Sequence, residues 1–208
     1  MLIHINALLL ALHRNQSGTV VGVALSLGII YALNVWKITD ASGKVTSVRR
    51  AAATSFLLGL RYLTERDTTW IFEYYRNGPG FTESEMLGFS RFVDNAYAQF
   101  TATGNDAALR RAANLARGGY GRPNPGRNYL YLRVSQKEPF DVLYFTPALT
   151  VITNADDRST SVAPELLYTG FTNIELRLRA FFLNGGAGTE FGERQNSRRI
   201  ELQARLYF

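Results

Sequence analysis

Cysteine is absent from this 208-residue chain, and histidine occurs only twice. Disulfides and thiolate metal sites are therefore excluded, and we expect neither a metal nor another cofactor. Charged residues are also scarce: they make up 19% of the chain, whereas hydrophobic residues make up 46%. No stretch rich in proline, glycine or serine divides the chain, which indicates a single domain over residues 1–208.

The two histidines do not form a recognisable catalytic arrangement. His4 and His13 lie nine residues apart, which on a strand places them near opposite ends. No spacing joins either of them to the nearby Asn6, Ser17 and Ser26 as a catalytic triad. We therefore expect a protein that is not an enzyme.

The basic residues are almost all arginine. Arginine supplies 20 of the 23 basic side chains, and the formal net charge is +6. A basic chain raises the question of nucleic acid, but these arginines are spread along the chain rather than gathered in one patch. We expect no nucleic-acid partner.

The last ten residues alternate strictly between apolar and polar side chains. One face of a strand would carry Ile200, Leu202, Ala204, Leu206 and Phe208, and the other Arg199, Glu201, Gln203, Arg205 and Tyr207. Residues 173–182 repeat the pattern. Runs of about 10 residues have the length that a tilted strand needs to cross a bilayer. The intermediate hydrophobicity also fits a sheet in which only every second residue meets lipid.

About nine such strands are predicted, and their connections alternate in length. Backwards from the C-terminus, the longer loops are 184–198, 154–159, 77–127 and 35–54, and the short turns are 169–172, 136–141, 64–68 and 14–17. Aromatic residues lie beside the short turns, namely Tyr62, Trp70, Phe140, Tyr168 and Phe171. Short periplasmic turns and long external loops are typical of outer-membrane barrels. Because proline removes a ladder donor, we expect bulges at Pro147 and Pro164.

The C-terminus resembles the assembly signature of Gram-negative, porin-like outer-membrane β-barrel proteins. Phe208 matches the terminal aromatic residue, and Leu206 stands where that family often has tyrosine. The resemblance implies an antiparallel transmembrane β-barrel in the bacterial outer membrane. It also implies membrane lipid as a partner, and the barrel assembly machinery as a partner during biogenesis.

The predicted strand number is odd, whereas a complete bacterial barrel normally has an even number. The N-terminus also lacks a basic region followed by a long apolar segment, so no secretory signal is recognisable. We expect the chain to be the C-terminal part of a larger barrel.

Residues 18–36 carry no charge and allow a different interpretation. Hydropathy alone would make them a transmembrane helix, and the chain would then be an inner-membrane-anchored periplasmic β protein. Their larger side chains, however, occupy odd positions and the smaller ones mostly even positions. This period of two favours a strand.

Charged residues on the inward phase of the strands suggest a function. They are Arg61, Arg133, Arg177, Arg179, Arg199 and Arg205, with Glu73, Glu175 and Glu201. Many of these charges would pair across strands, but the surplus of arginine favours anions. The prediction is a porin-like channel for small, anionic solutes. The alternative is a non-conducting barrel that holds a partner through its loops or lumen.

A helical insertion is predicted at 81–120, within an extracellular loop. Thr82 followed by Glu83 and Glu85 is typical of a helix start, and an apolar stripe recurs from Met86 to Phe100. A second helix would begin near Asn105. The pair either forms an external cap or folds into the lumen against the small residues Gly22, Ala24, Ser26 and Gly28.

Overall fold

The computed structural model describes residues 2–14, 20–39 and 45–208, with side chains at Leu27 and from residue 53 onward. The strands are β1 (Leu2–Arg14), β2 (Val20–Thr39), β3 (Val45–Leu63), β4 (Thr68–Arg76), β5 (Asn128–Gln136), β6 (Phe145–Asn154), β7 (Thr160–Phe171), β8 (Ile174–Asn184) and β9 (Arg198–Leu206). Two helices, α1 (Glu83–Thr103) and α2 (Ala107–Leu115), lie between β4 and β5 and are followed by a π-helical turn, Ala116–Tyr120.

The strands form one antiparallel sheet in which every strand pairs with its neighbours in the sequence. The order runs from β1 to β9 without a crossover. Apart from Leu27, the strand side chains that the structure describes lie on seven strands, β3 to β9. Strands β1 and β2 extend the sheet beyond β3. Among the residues that the structure describes, no pairing joins β1 to β9, so the sheet is open. The predicted antiparallel sheet with two helices is confirmed, while closure into a barrel stays a prediction.

One face of the sheet is apolar and exposed; we call it the apolar face. The strand register aligns Leu60 with Phe72, Phe72 with Leu132, and Leu178 with Leu202. Its exposed members are Leu58, Leu60, Tyr62, Trp70, Phe72, Leu130, Leu132, Leu149, Leu166, Leu178, Phe182, Ile200, Leu202 and Leu206. The opposite face carries the paired charges described below, and we call it the charged face. The alternation in the sequence therefore extends across seven adjacent strands.

The prediction of a long loop at 35–54 is wrong. β2 continues to Thr39 and β3 begins at Val45, and the two strands pair from Gly22 and Leu63 to Thr39 and Val45. The β-branched residues Val45, Thr46 and Val48 favour an extended chain. The connection between β2 and β3 falls within 40–44, outside the described residues, as does most of the predicted turn at 14–17.

The bulges expected at the prolines are also wrong. Pro147 and Pro164 pair in regular register with Leu166 and Leu149. On the other side of β7, the ladder to β8 is interrupted at Pro164 and resumes in the same register. An interrupted ladder accommodates the missing N–H without an inserted residue. The bulge of this hairpin lies instead between Tyr168 and Phe171.

The turn between β5 and β6 is longer than predicted. β6 begins at Phe145 rather than near residue 140, and a short 3-10 turn spans Pro139–Asp141. Glu138, Phe140, Asp141 and Tyr144 all have positive φ angles, which no strand could contain. Phe140 is 97% exposed at the tip of this turn.

The predicted start of α1 is confirmed in atomic detail. The Thr82 side chain accepts a hydrogen bond from the Glu85 amide at 3.3 Å, and Glu85 Oε2 accepts one from the Thr82 amide at 2.7 Å. This is a reciprocal capping box, which satisfies two donors that the helix start leaves unpaired. Gly104 ends α1 in the left-handed conformation, with φ of 71°.

The apolar stripe of α1 is buried against α2. Phe92, Ala96 and Ala112 form the buried centre of this contact, with Phe89 and Leu109 among the residues packed around it. Cα atoms of α1 also come within 8 Å of Cα atoms of β2. The two helices therefore pack on each other and lie beside the sheet.

The alternative transmembrane helix at 18–36 is wrong, because Val20–Thr39 is a strand paired on both sides. Among the described residues, the structure contains no helix that is both long and apolar enough to span a membrane.

Candidate functional site

The strand register brings all of the sequence-predicted charged residues onto the charged face. Arg61 shares a row with Ile71 and Arg133 through consecutive strand pairs. Arg179 aligns with Glu201, and Glu175 aligns with Arg205. Among the residues whose side chains the structure describes, the charged residues on this face are Arg61, Glu73, Arg133, Glu165, Glu175, Arg177, Arg179, Arg199, Glu201 and Arg205. Sequence patterns within one strand could not have predicted which charged residues face each other on neighbouring strands.

Glu165 is the centre of the first charge cluster on this face. Its Oε1 lies 2.9 Å from Arg133 Nη2, and its Oε2 accepts a hydrogen bond of 2.8 Å from Arg179 Nε. Arg133 also donates to Thr150 Oγ1 at 2.9 Å. Glu165 is only 5% exposed, while both arginine side chains remain partly open. One buried carboxylate on β7 therefore binds arginines on the adjacent strand β8 and, across β6, on β5.

Glu165 was not among the sequence-predicted site residues. Along β7 it lies on the same face as Ala163 and Leu167, but the neighbouring Pro164 made the strand harder to predict there. A carboxylate in phase with the arginines of the flanking strands is the signal that could have identified it. Its inclusion changes the charge balance of the described side chains on this face, because six arginines and four glutamates leave a surplus of two positive charges rather than three.

Glu175 is the centre of the second cluster. Its Oε1 lies 3.1 Å from Arg177 Nη2 and 3.5 Å from Arg205 Nη1. The Tyr207 hydroxyl lies 3.3 Å from Glu175 Oε2 and completes this cluster. Both clusters hold two guanidinium groups on one carboxylate, so each carries one net positive charge.

The remaining charged residues are more open. Arg199 and Glu201 form an ion pair of 3.0 Å, and the Arg199 guanidinium lies 4.5 Å from the centroid of the Phe181 ring. Arg61 and Glu73 lie on the same face at the β3–β4 side of the sheet, and neither belongs to an ion pair within the described part of the chain. The structure therefore groups seven of the nine predicted charges into pairs or clusters.

One end of the charged face is covered by the loop between β8 and β9, residues 185–197. The Tyr129 hydroxyl donates a hydrogen bond of 2.6 Å to Glu190 Oε2, and Asn154 Nδ2 donates one of 3.0 Å to the same oxygen. Tyr129 and Asn154 pair across β5 and β6 on the charged face, and both are buried. We call Tyr129, Asn154 and Glu190 the Glu190 junction.

Further hydrogen bonds hold this loop to its neighbours. The Glu190 amide donates to Asp157 Oδ2 at 2.7 Å, and Asp157 Oδ1 accepts from the Ser159 amide at 2.8 Å. The Tyr129 hydroxyl accepts a bond of 2.6 Å from the Gly126 amide. Burial raises the pKa of Glu190 above its ordinary value, although Tyr129, Asn154 and Arg194 favour its charged form. The junction fastens three separate connections over one end of the charged face.

A cavity of about 780 Å³ lies between the end of β4 and the helical insertion. Tyr75, Phe81 and Tyr120 supply aromatic walls, and Arg111 and Arg122 supply its charged groups. We call this space the aromatic cavity. Tyr75 belongs to the charged face, because it pairs with Tyr129 across β4 and β5. The cavity therefore adjoins the same end of the charged face as the Glu190 junction.

The small residues predicted as an insertion contact lie on β2. The backbone register pairs Gly22 with Leu63, Ala24 with Arg61, Ser26 with Gly59, and Gly28 with Leu57. The side chains of Ala24 and Ser26 lie outside the described residues, as do those of His4, Asn6 and His13 on β1. Packing of the insertion against this row stays a prediction.

The C-terminal residues lie at the edge of the sheet. Leu206 pairs with Ile174 and is exposed on the apolar face. Phe208 follows the last strand, and its side chain is fully exposed. Comparison with protein-family models, with curated proteins and with solved structures found no match for the chain.

Proposed function

We propose that this sheet forms part of the wall of an outer-membrane β-barrel and that its charged face lines a channel for small solutes, with anions favoured. The observation that carries the proposal is the apolar face, which stays exposed across seven adjacent strands. A contiguous apolar surface larger than a few hundred Å² is rare on soluble monomers and marks a membrane or protein contact. Lipid is the contact that suits a broad surface of Leu, Phe and Trp side chains.

Strand length supports a membrane location. β8 has 11 residues and is therefore about 36 Å long. Tilted by about 45°, as barrel strands are, it spans close to the apolar band of about 25 Å that such barrels present to lipid. Trp70 and Tyr62 pair beside the short turn between β3 and β4, where an aromatic girdle would lie.

The two edge strands favour closure. Backbone groups at an open edge have no partner in hydrocarbon, and each costs several kcal/mol there. β1 and β9 are the edges of the described sheet. Pairing of these edges, directly or through further strands, would remove the cost and enclose the charged face. The terminal Phe208 and its alternating strand fit recognition by the barrel assembly machinery.

A second candidate function is a non-conducting barrel that holds a partner. The observation that favours it is the cover over one end of the charged face, formed by the Glu190 junction and the helical insertion. A cover that closes the lumen would prevent conduction and present loops to a partner.

Ion selectivity of the reconstituted protein tests the proposal. In planar bilayers under a potassium chloride gradient, we expect the wild-type protein to conduct. Its reversal potential should have the sign that indicates chloride selectivity. Arg61→Gln together with Arg205→Gln removes two positive charges from the charged face, because both side chains lie on it. The double variant should move the reversal potential toward zero, since a less positive face favours anions less.

Arg66→Gln is the matched control, because Arg66 is exposed in the turn between β3 and β4 and lies off the charged face. It should leave the reversal potential unchanged. A double variant that keeps the wild-type reversal potential would contradict a solute path along the charged face. If conductance appears only after residues 82–117 are excised, the non-conducting barrel is the correct function.

A further inference from the structure

We propose that the aromatic cavity is a binding site for a small organic anion that carries a planar ring, such as an aromatic carboxylate. The cavity is built by the end of β4 and by the loop 77–127. Because its described lining residues all come from these two segments, the inference goes beyond the proposed channel and does not depend on it.

The walls of the cavity are rigid and aromatic. The rings of Phe81 and Tyr120 are stacked with centroids 4.1 Å apart, and Phe89 stacks with Tyr120 at the same separation. At the β4 side of the cavity, the Tyr75 ring stacks with the Tyr129 ring, with centroids 6.3 Å apart. Phe81 and Phe89 cover the two faces of the buried Tyr120 ring, so Phe81 and Tyr75 supply the ring surfaces for offset stacking with a ligand, worth about 1 kcal/mol beyond the apolar contact.

The charged groups of the cavity all have one sign. Arg111 and Arg122 line it, and none of the described residues that line it is an aspartate or glutamate. Arg122 gives one Nη2 bond of 3.1 Å to the Gly118 carbonyl, which leaves its other guanidinium donors for a ligand. Within the described part of the chain, Arg111 has neither an ion-pair nor a hydrogen-bond partner.

Unlike Arg111, the neighbouring Arg110 has an acidic partner. Arg110 is held by Asp106 through a bond of 2.8 Å from Nε and a contact of 2.7 Å from Nη2. Arg111 follows it on α2 but lines the cavity instead. A guanidinium presents parallel donors that match a carboxylate, and such charge-assisted bonds are about twice as strong as neutral ones.

The rim of the cavity is held in place without a ligand. Asn77 Nδ2 donates to the carbonyls of Asn124 and Gly126 at 3.0 and 3.1 Å, and Arg127 Nε donates to the Gly80 carbonyl at 3.0 Å. These bonds fasten the two ends of the loop 77–127 to each other. A preformed cavity of about 780 Å³ lies within the range of about 300–1,000 Å³ that small-molecule sites occupy.

Titration calorimetry of the purified full chain in detergent micelles tests the proposal with benzoate as the probe. Acetate has the charge without the ring, benzamide the ring without the charge, and benzylamine the opposite charge. We expect benzoate to bind at least about 10-fold more tightly than each of the other three, because only it satisfies both the rings and the guanidinium groups. Equal affinities for benzoate and benzamide would overturn the anion requirement, and no benzoate binding would overturn the site.

Variants place the binding in this cavity. Arg111→Gln and Arg122→Gln should each weaken benzoate binding by about 10-fold, the size of one charge-assisted contact. Arg110→Gln, one residue away and outside the cavity, should leave the affinity unchanged. Because all three side chains are exposed, these substitutions should preserve the fold, which circular dichroism checks. Unchanged affinity in the Arg111→Gln and Arg122→Gln double variant would show that benzoate binds elsewhere. Loss of conductance in bilayers leaves this outcome unaffected, so the two proposals fail separately.

Discussion

Leu132→Arg is expected to prevent stable insertion of the protein into lipid vesicles. Leu132 lies in the middle of β5 on the apolar face, is 37% exposed, and pairs with Phe72 and Val151. An arginine at the bilayer midplane costs about 2–4 kcal/mol on the lipid face of a barrel. That cost is a large fraction of the stability of a typical domain. The fraction of protein that inserts on refolding into vesicles measures the effect.

Tyr131→Arg is the matched control. Tyr131 is the adjacent residue on β5 but belongs to the charged face, between Glu73 and Ile152. A new arginine there would face Glu73 and, in the proposed barrel, an aqueous interior, so insertion should stay close to that of the wild-type protein. Equal insertion of the Leu132→Arg variant and the wild type would contradict a lipid contact at the apolar face.

Glu165→Gln is expected to lower the free energy of unfolding by about 3 kcal/mol, because it leaves two arginines on opposite sides of an uncharged group. The carboxylate is buried and binds both Arg133 and Arg179. The value lies at the low end for a broken buried pair because both arginine side chains remain partly exposed. Urea titration of the vesicle-bound protein, followed by tryptophan fluorescence, measures the change.

Two further variants separate the cluster from a general effect of charge. Glu201→Gln removes a carboxylate from the exposed pair with Arg199 and should cost less than about 1 kcal/mol. Adding Arg179→Gln to Glu165→Gln removes one of the stranded cations and should recover part of the lost stability. If Glu165→Gln costs no more than Glu201→Gln, Glu165 does not bind the sheet together.

Much of the sheet could be predicted because strand periodicity is a local property. Along β8 and β9 every second residue is apolar, and this pattern alone separates Leu178 and Leu202 from Arg179 and Glu201. The helix start at Thr82 was predictable for the same reason, since a capping box needs residues only three positions apart.

The errors arose where a residue type has more than one structural outcome. Arg49 and Arg50 resemble loop residues, yet they pair with Trp36 and Val35 in the extended β2–β3 hairpin. Pro164 was expected to force a bulge, but the chain leaves its ladder bond out and keeps the register. Propensity constrains such positions weakly, and pairing with the neighbouring strand decides them.

The candidate sites depend on contacts between distant parts of the chain. Tyr129 and Glu190 are 61 residues apart, and their hydrogen bond forms only when the loop 185–197 lies over the charged face. Arg111 and Tyr75 likewise meet at one cavity from separate elements. Sequence spacing carries no information on such contacts, so neither the Glu190 junction nor the aromatic cavity could be predicted.

Quenching of labels on Leu132→Cys and Arg133→Cys in lipid vesicles tests the membrane account most directly. The chain contains no cysteine, so each variant carries one fluorophore, and the two positions lie on opposite faces of β5. We predict that brominated lipid quenches the label at position 132 and that aqueous iodide quenches the label at position 133. Quenching of both labels by iodide, with neither quenched by brominated lipid, would contradict the proposal that the apolar face of this sheet lies against membrane lipid.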